Sequence, residues 1–138
     1  MKSKNIFTAF ATFMILLFTA NNSEAQSGNQ VVEPNSESKV EVIQFHSEHR
    51  CMTCNKIEEL SRETLKGYPN IPFSLVNVDL DKNEKKAEQF EATGTALFLY
   101  NPQTGKKKDL TDFAFMNASN KEKFIAGLKK EIESFQKS

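Results

Sequence analysis

Cysteine and histidine are scarce in this 138-residue chain, two of each, and tryptophan is missing altogether. Small exported domains that depend on disulfides for stability carry several bridges. Here Cys51 and Cys54 stand three positions apart, and a bridge closing so short a loop removes little entropy from the unfolded chain. The pair is a poor staple, which favours a chemical use. An excess of charge is also lacking, because 18 basic residues balance 18 acidic ones. Binding to phosphate backbones needs a positive field, so nucleic acid is not an expected partner. No internal repeat or low-complexity tract is visible, and twelve phenylalanines supply core material without tryptophan.

A long apolar run is lacking too. Ile6 to Ala20 is free of charge but only fifteen residues long, short of the about 20 that a membrane-spanning helix needs. Lys2 and Lys4 precede it, and Ser23-Glu24-Ala25 follows with small residues at the positions a signal peptidase inspects. Residues 1–25 therefore read as a signal peptide cleaved after Ala25, and the mature protein is expected to be periplasmic or secreted, without a membrane span. No cysteine lies near the end of the run, which excludes lipid attachment there. Without Lys2, Lys4 and Glu24 the mature chain keeps 16 basic and 17 acidic residues. Residues 26–38 are polar, contain Gly28 and Pro34, and read as a flexible linker. One domain is expected over 39–138.

Within that domain the periodicity predicts strand, helix, strand, helix, strand, strand, helix. "KVEVIQF" (39–45) alternates and is rich in β-branched residues. From Cys51, Met52, Ile57, Leu60, Thr64 and Leu65 recur at helical intervals until Gly67-Tyr68-Pro69. "FSLVNVDL" (73–80) is a more continuously apolar strand. Asp81 and Glu84 form a capping-box pattern before a helix with Ala87 and Phe90 facing inward. "TALFLY" (95–100) and the weaker "KKDLTDF" (107–113) read as a hairpin across the turn Asn101 to Gly105. Ser119 to Glu122 is a second capping box, followed by the apolar face Phe124, Ile125, Leu128, Ile132 and Phe135. The first helices are expected to make parallel crossovers and the hairpin an antiparallel edge, giving a mixed sheet covered on both faces.

Both cysteines and both histidines fall within the nine positions 46–54. Two readings follow. His46, His49, Cys51 and Cys54 form H-x2-H-x-C-x2-C, donor types that zinc or copper accept. Alternatively, Cys51-Met52-Thr53-Cys54 is a dithiol that exchanges electrons with other thiols. Covalent haem is not expected, since Asn55 follows the second cysteine.

A strand ending in "VIQFHSEHR", the CxxC opening a helix, then "VNVDLDKN" and "TGTALFLYNPQTGK" together resemble the thioredoxin superfamily over Lys39–Ser138. The resemblance implies an α/β fold with a central mixed sheet of about four strands and helices on both faces. It also implies a thiol-disulfide oxidoreductase without a diffusible cofactor, with a redox-active disulfide instead. Partners would be protein thiols or disulfides, a membrane electron donor among them, and a monomer is expected. Apart from the family, two sulfurs at the start of a helix come within bonding distance. The first sits where unpaired N–H groups and the positive helix end converge, which favours its thiolate. Cys51 is thus the nucleophile and Cys54 the resolving thiol, with His49 and Arg50 adding positive charge.

The departures from that family fall on named residues. Arg50 stands where the family has tryptophan, and Met52-Thr53 where it has Gly-Pro. Gln44 occupies the place of a buried acid, leaving Glu58 or Glu59 as substitutes, although both read as solvated helix-face charges. Thr95 and Ala96 fall at the substrate loop, with Ala96 in place of a cis-proline. A cis bond before alanine costs about 2.5 kcal/mol or more, so a trans bond is expected. Asn117-Ala118-Ser119 fits a glycosylation pattern, but Ser119 reads better as a helix cap. Lys106 to Lys108 reads as edge protection, and Phe113 and Phe115 as core.

Overall fold

The computed structural model describes residues 39–138, so the expected signal peptide and linker lie outside the described residues. Four strands, β1 (Glu41–His46), β2 (Phe73–Asn77), β3 (Ala96–Tyr100) and β4 (Lys107–Asp109), form one sheet in the order β2-β1-β3-β4. The helices are α1 (Met52–Leu65), α2 (Glu84–Phe90), α3 (Thr111–Asn117) and α4 (Lys121–Gln136), with a short 3-10 turn at Asp81–Asn83. Strand β1 pairs parallel to β2 and antiparallel to β3, and β4 is antiparallel to β3. Only α1 therefore makes a parallel crossover; the expected second one, through α2, leads to an antiparallel strand. Among the described residues no helix is long and apolar enough to cross a membrane.

The alternation of β1 sends its side chains to two cores. Val40 and Val42, with Leu97 and Leu99, meet Ile57 and Leu60 of α1 and Phe124, Leu128 and Ile132 of α4. Ile43 and Phe45, with Phe98, meet Val76, Phe90 and Ala92 on the other face. Helices thus cover both faces, as expected. On the second face Phe45, Phe90 and Phe98 form a ring cluster with centroids 5.1–5.9 Å apart.

The local chemistry explains the differences from the sequence reading. Strand β4 stops at Asp109 because its carboxylate accepts the N–H of Thr111 at 2.7 Å, and Thr111 Oγ1 accepts the N–H of Leu97 at 3.1 Å. Residues 111–117 consequently form α3 rather than the end of a strand. Strand β2 ends at Asn77, three residues early, where Asn77 Oδ1 takes the N–H of Asp79 at 3.0 Å. The Asp81 capping box does not form: α2 begins at Glu84, after Asn83, without a side-chain cap. Asn120, not Ser119, caps α4, accepting from Lys123 N at 3.0 Å. Gly105 sits at φ 74° in the β3–β4 turn, a backbone that favours glycine. All described peptide bonds are trans, that before Ala96 included.

Gly127 on α4 marks where α3 docks. A Cβ there would lie 2.6 Å from Cζ of Phe113. Gly127→Val is expected to push α3 off α4 and to cost about 1–3 kcal/mol, read as a lowered denaturation midpoint with an unchanged slope.

Candidate active site

The site is built at the carboxyl end of β1 and the amino end of α1. Cys51 is the N-cap of α1, extended at φ −78° and ψ 161°, and its Sγ accepts from the N–H of Cys54 at 3.1 Å. A sulfur thus does the work that an oxygen does in an ordinary cap. Cys51 and Cys54 form a disulfide across Cα atoms 5.1 Å apart. Cys51 is exposed, whereas Cys54 is 5% exposed. Solvent and a partner reach the first sulfur; the second is screened by the protein.

Cys54 has its own set of polar neighbours. Thr95 Oγ1 donates to Cys54 Sγ at 3.1 Å, so the loop preceding β3 touches the bridge through its threonine. From β1, Gln44 Nε2 donates to the carbonyl of Cys54 at 2.9 Å. Gln44 is fully buried, and its Oε1 has no partner. The sequence placed Gln44 beneath the pair but carried no sign of this bond, which depends on how α1 crosses β1.

The charged neighbours are arranged differently. Arg50 Nη2 lies 2.6 Å from Glu58 Oε2, and Arg62 Nε lies 2.8 Å from Glu58 Oε1. Burial pushes the Glu58 carboxyl up, but the hydrogen bonds and charges of Arg50 and Arg62 outweigh it and hold the group below the usual glutamate range. Glu59 pairs with Lys56 at 2.9 Å. Glu58 therefore anchors Arg50 next to Cys51. A carboxyl lowered in the folded state contributes stability at neutral pH that is lost as pH falls below its unfolded value of about 4.3. Glu58→Gln is expected to lose up to about 1 kcal/mol at pH 7, and the gap to the wild type should close in denaturation curves taken below that pH.

The histidines have other surroundings. Nδ1 of His46, at the end of β1, lies 2.8 Å from the carbonyl of Ser47, and His49 is exposed in the loop. Among the described residues no group of three or more His, Cys, Asp or Glu side chains is placed to hold a metal ion. Met52, expected on the buried face of α1, is instead 89% exposed, while Cys54 in the same turn is buried. Phe113 packs on the core, but Phe115, expected there too, is 42% exposed. Met52, Thr53, Lys56, Phe115, Ala118 and Ser119 line a shallow groove of about 320 Å³ beside the bridge. Its α3 wall was illegible while residues 107–113 read as a strand.

A Cys51–Cys54 disulfide at the start of the helix that joins two parallel strands, on a sheet ordered β2-β1-β3-β4 with helices on both faces, settles the architecture. The fold is thioredoxin-like. No family model and no curated protein matches the chain. Among solved structures, the oxidized form of mitochondrial thioredoxin 3 from Saccharomyces cerevisiae is 18% identical over 71% of this chain and 80% of that one, with a TM-score of 0.47. Thioredoxin f2 of Chlamydomonas reinhardtii is 18% identical over 64% of this chain and 85% of its own, at a TM-score of 0.45. Thioredoxin of Fasciola hepatica is 25% identical over 51% of this chain, at a TM-score of 0.42, and the match spans 64% of that thioredoxin's length.

Proposed function

We propose that this protein is an exported thiol-disulfide oxidoreductase that exchanges the Cys51–Cys54 bridge with protein partners. The observation that carries the reading is the asymmetry of the pair: Cys51 exposed at the helix cap, Cys54 bonded to it and 5% exposed behind it. In the dithiol form Cys51 meets the positive end of α1, which favours the thiolate, the attacking species. The Cys51 thiolate attacks a partner disulfide, and one partner sulfur leaves with the electron pair. Cys54 then gives up its proton and attacks Cys51 Sγ, closing the bridge and releasing the second partner sulfur. Two electrons pass from the dithiol to the partner. Run in reverse, the same steps oxidise a partner dithiol.

The partner is a protein, either a secreted client or a membrane-embedded electron donor. The cationic start, the apolar run and the small residues before Gln26 support this reading of residues 1–25 as a leader, and protein recovered outside the cytoplasm should begin at Gln26. The chemical reading is tested by the rate of alkylation of the reduced protein against pH. Cys51 should titrate below the about 8.5 of an ordinary thiol, and Cys54 should react more slowly. A Cys51 that alkylates like a free thiol would overturn the reading.

A further inference from the structure

Gln44 has no exposed surface, and one hydrogen bond is made by its side chain, from Nε2 to the Cys54 carbonyl at 2.9 Å. A carbonyl only accepts, so the amide nitrogen must face it, which fixes the orientation of the group. Oε1 is thereby left buried without a partner. Buried acceptors in this state are uncommon and unfavourable. This one belongs to the side chain bonded to Cys54, whose proton content changes in the reaction. The disulfide carries no S–H; the dithiol carries two. Cys51 is exposed, so water serves its proton. Cys54 is 5% exposed, so its thiol must find its acceptors in the protein: the Thr95 hydroxyl lies 3.1 Å from its Sγ, and the amide of Gln44 is the other polar side chain bonded to this residue.

We propose that Gln44 is a redox-linked positioning residue: its Oε1 accepts the S–H of Cys54 in the dithiol, a bond the disulfide cannot make. The proposal rests on the reversible bridge proposed above. When a partner thiolate attacks Cys51 Sγ, the Cys51–Cys54 bond breaks and Cys54 leaves with the electron pair, then takes a proton from water. The second partner thiolate attacks the mixed disulfide and frees Cys51. Two electrons come from the partner dithiol, and one proton ends on each cysteine. Gln44 takes no proton itself, because an amide does not ionise near neutral pH; it holds the one on Cys54. Two consequences follow. The bridge is a stronger oxidant than it would be without the amide, and Cys54 is kept as a thiol to higher pH.

The test is a glutathione redox series on the wild type, Gln44→Met and Gln44→Glu, together with melting curves of the oxidised and reduced forms. Methionine matches the length of glutamine without an amide acceptor. Gln44→Met should lower the equilibrium constant for reduction about three- to tenfold and destabilise the reduced form more than the oxidised form. Gln44→Glu keeps a donor and an acceptor while its carboxyl is protonated. It should match the wild type at low pH and depart from it once the carboxyl ionises, a result that decides the matter even if Gln44→Met does not fold. A constant within twofold of the wild type in both variants across pH, or equal destabilisation of the two forms, would overturn the proposal and make Gln44 merely structural. A wild-type bridge that never equilibrates with glutathione overturns this proposal and the oxidoreductase reading together. A reversible wild-type bridge with unchanged variants overturns this proposal alone.

Discussion

Cys51→Ser is expected to abolish thiol-disulfide exchange, a loss on the order of 10³-fold or more, because it removes the attacking group outright. Fold stability should change little, since Cys51 is exposed and the three-residue spacing of the bridge gives it little leverage on the unfolded chain. Serine is itself a good N-cap and can take the Cys54 N–H in place of sulfur. Cys54→Ser should behave differently. Its Cys51 still attacks a partner, but no second thiol resolves the product, so a mixed disulfide accumulates and survives on a non-reducing gel. A mixed disulfide trapped by Cys51→Ser and not by Cys54→Ser would reverse the assigned order of the two thiols.

Phe45→Ala should have the largest effect on stability, about 3–5 kcal/mol. Phe45 is fully buried, with its ring 5.3 Å from that of Phe90 and 5.9 Å from that of Phe98. Truncation removes both ring contacts and opens a cavity between the sheet and α2. Domains of this size are stable by about 5–15 kcal/mol in all, so the variant should melt roughly 15 °C or more below the wild type. Phe45 also sits between Gln44 and His46 and pairs with Val76 and Ala96 across the sheet. A melting temperature within a few degrees of the wild type would mean that this face is not a packed core.

The site was legible where local pattern and position coincide. A CxxC after an alternating strand and before a helical repeat placed Cys51 at the cap and Cys54 inside. The same reading put Ala87 and Phe90 in the core, where they lie. It failed where one side chain overrides a pattern. Asp109 turns "KKDLTDF" into a short strand and a helix by taking the Thr111 N–H, and that helix carries Phe115 to the groove it shares with Met52 and Thr53. Two hydrogen bonds required tertiary geometry, although the resemblance had placed both residues near the pair. One is the Thr95 hydroxyl on Cys54 Sγ, 41 positions away; the other is the buried amide of Gln44, ten positions away. Arg50 illustrates a third kind of gap. Its place before Cys51 suggested free positive charge, but Glu58 on the second turn of α1 takes its guanidinium.

The most direct measurement is the fraction of Cys51–Cys54 disulfide in the wild-type protein across a series of reduced and oxidised glutathione, approached from both directions. The account predicts one reversible two-electron transition, the same from either side, with Cys51 the thiol that glutathione engages. A bridge that stays closed or stays open across the whole series, or whose end point depends on the direction of approach, would contradict it.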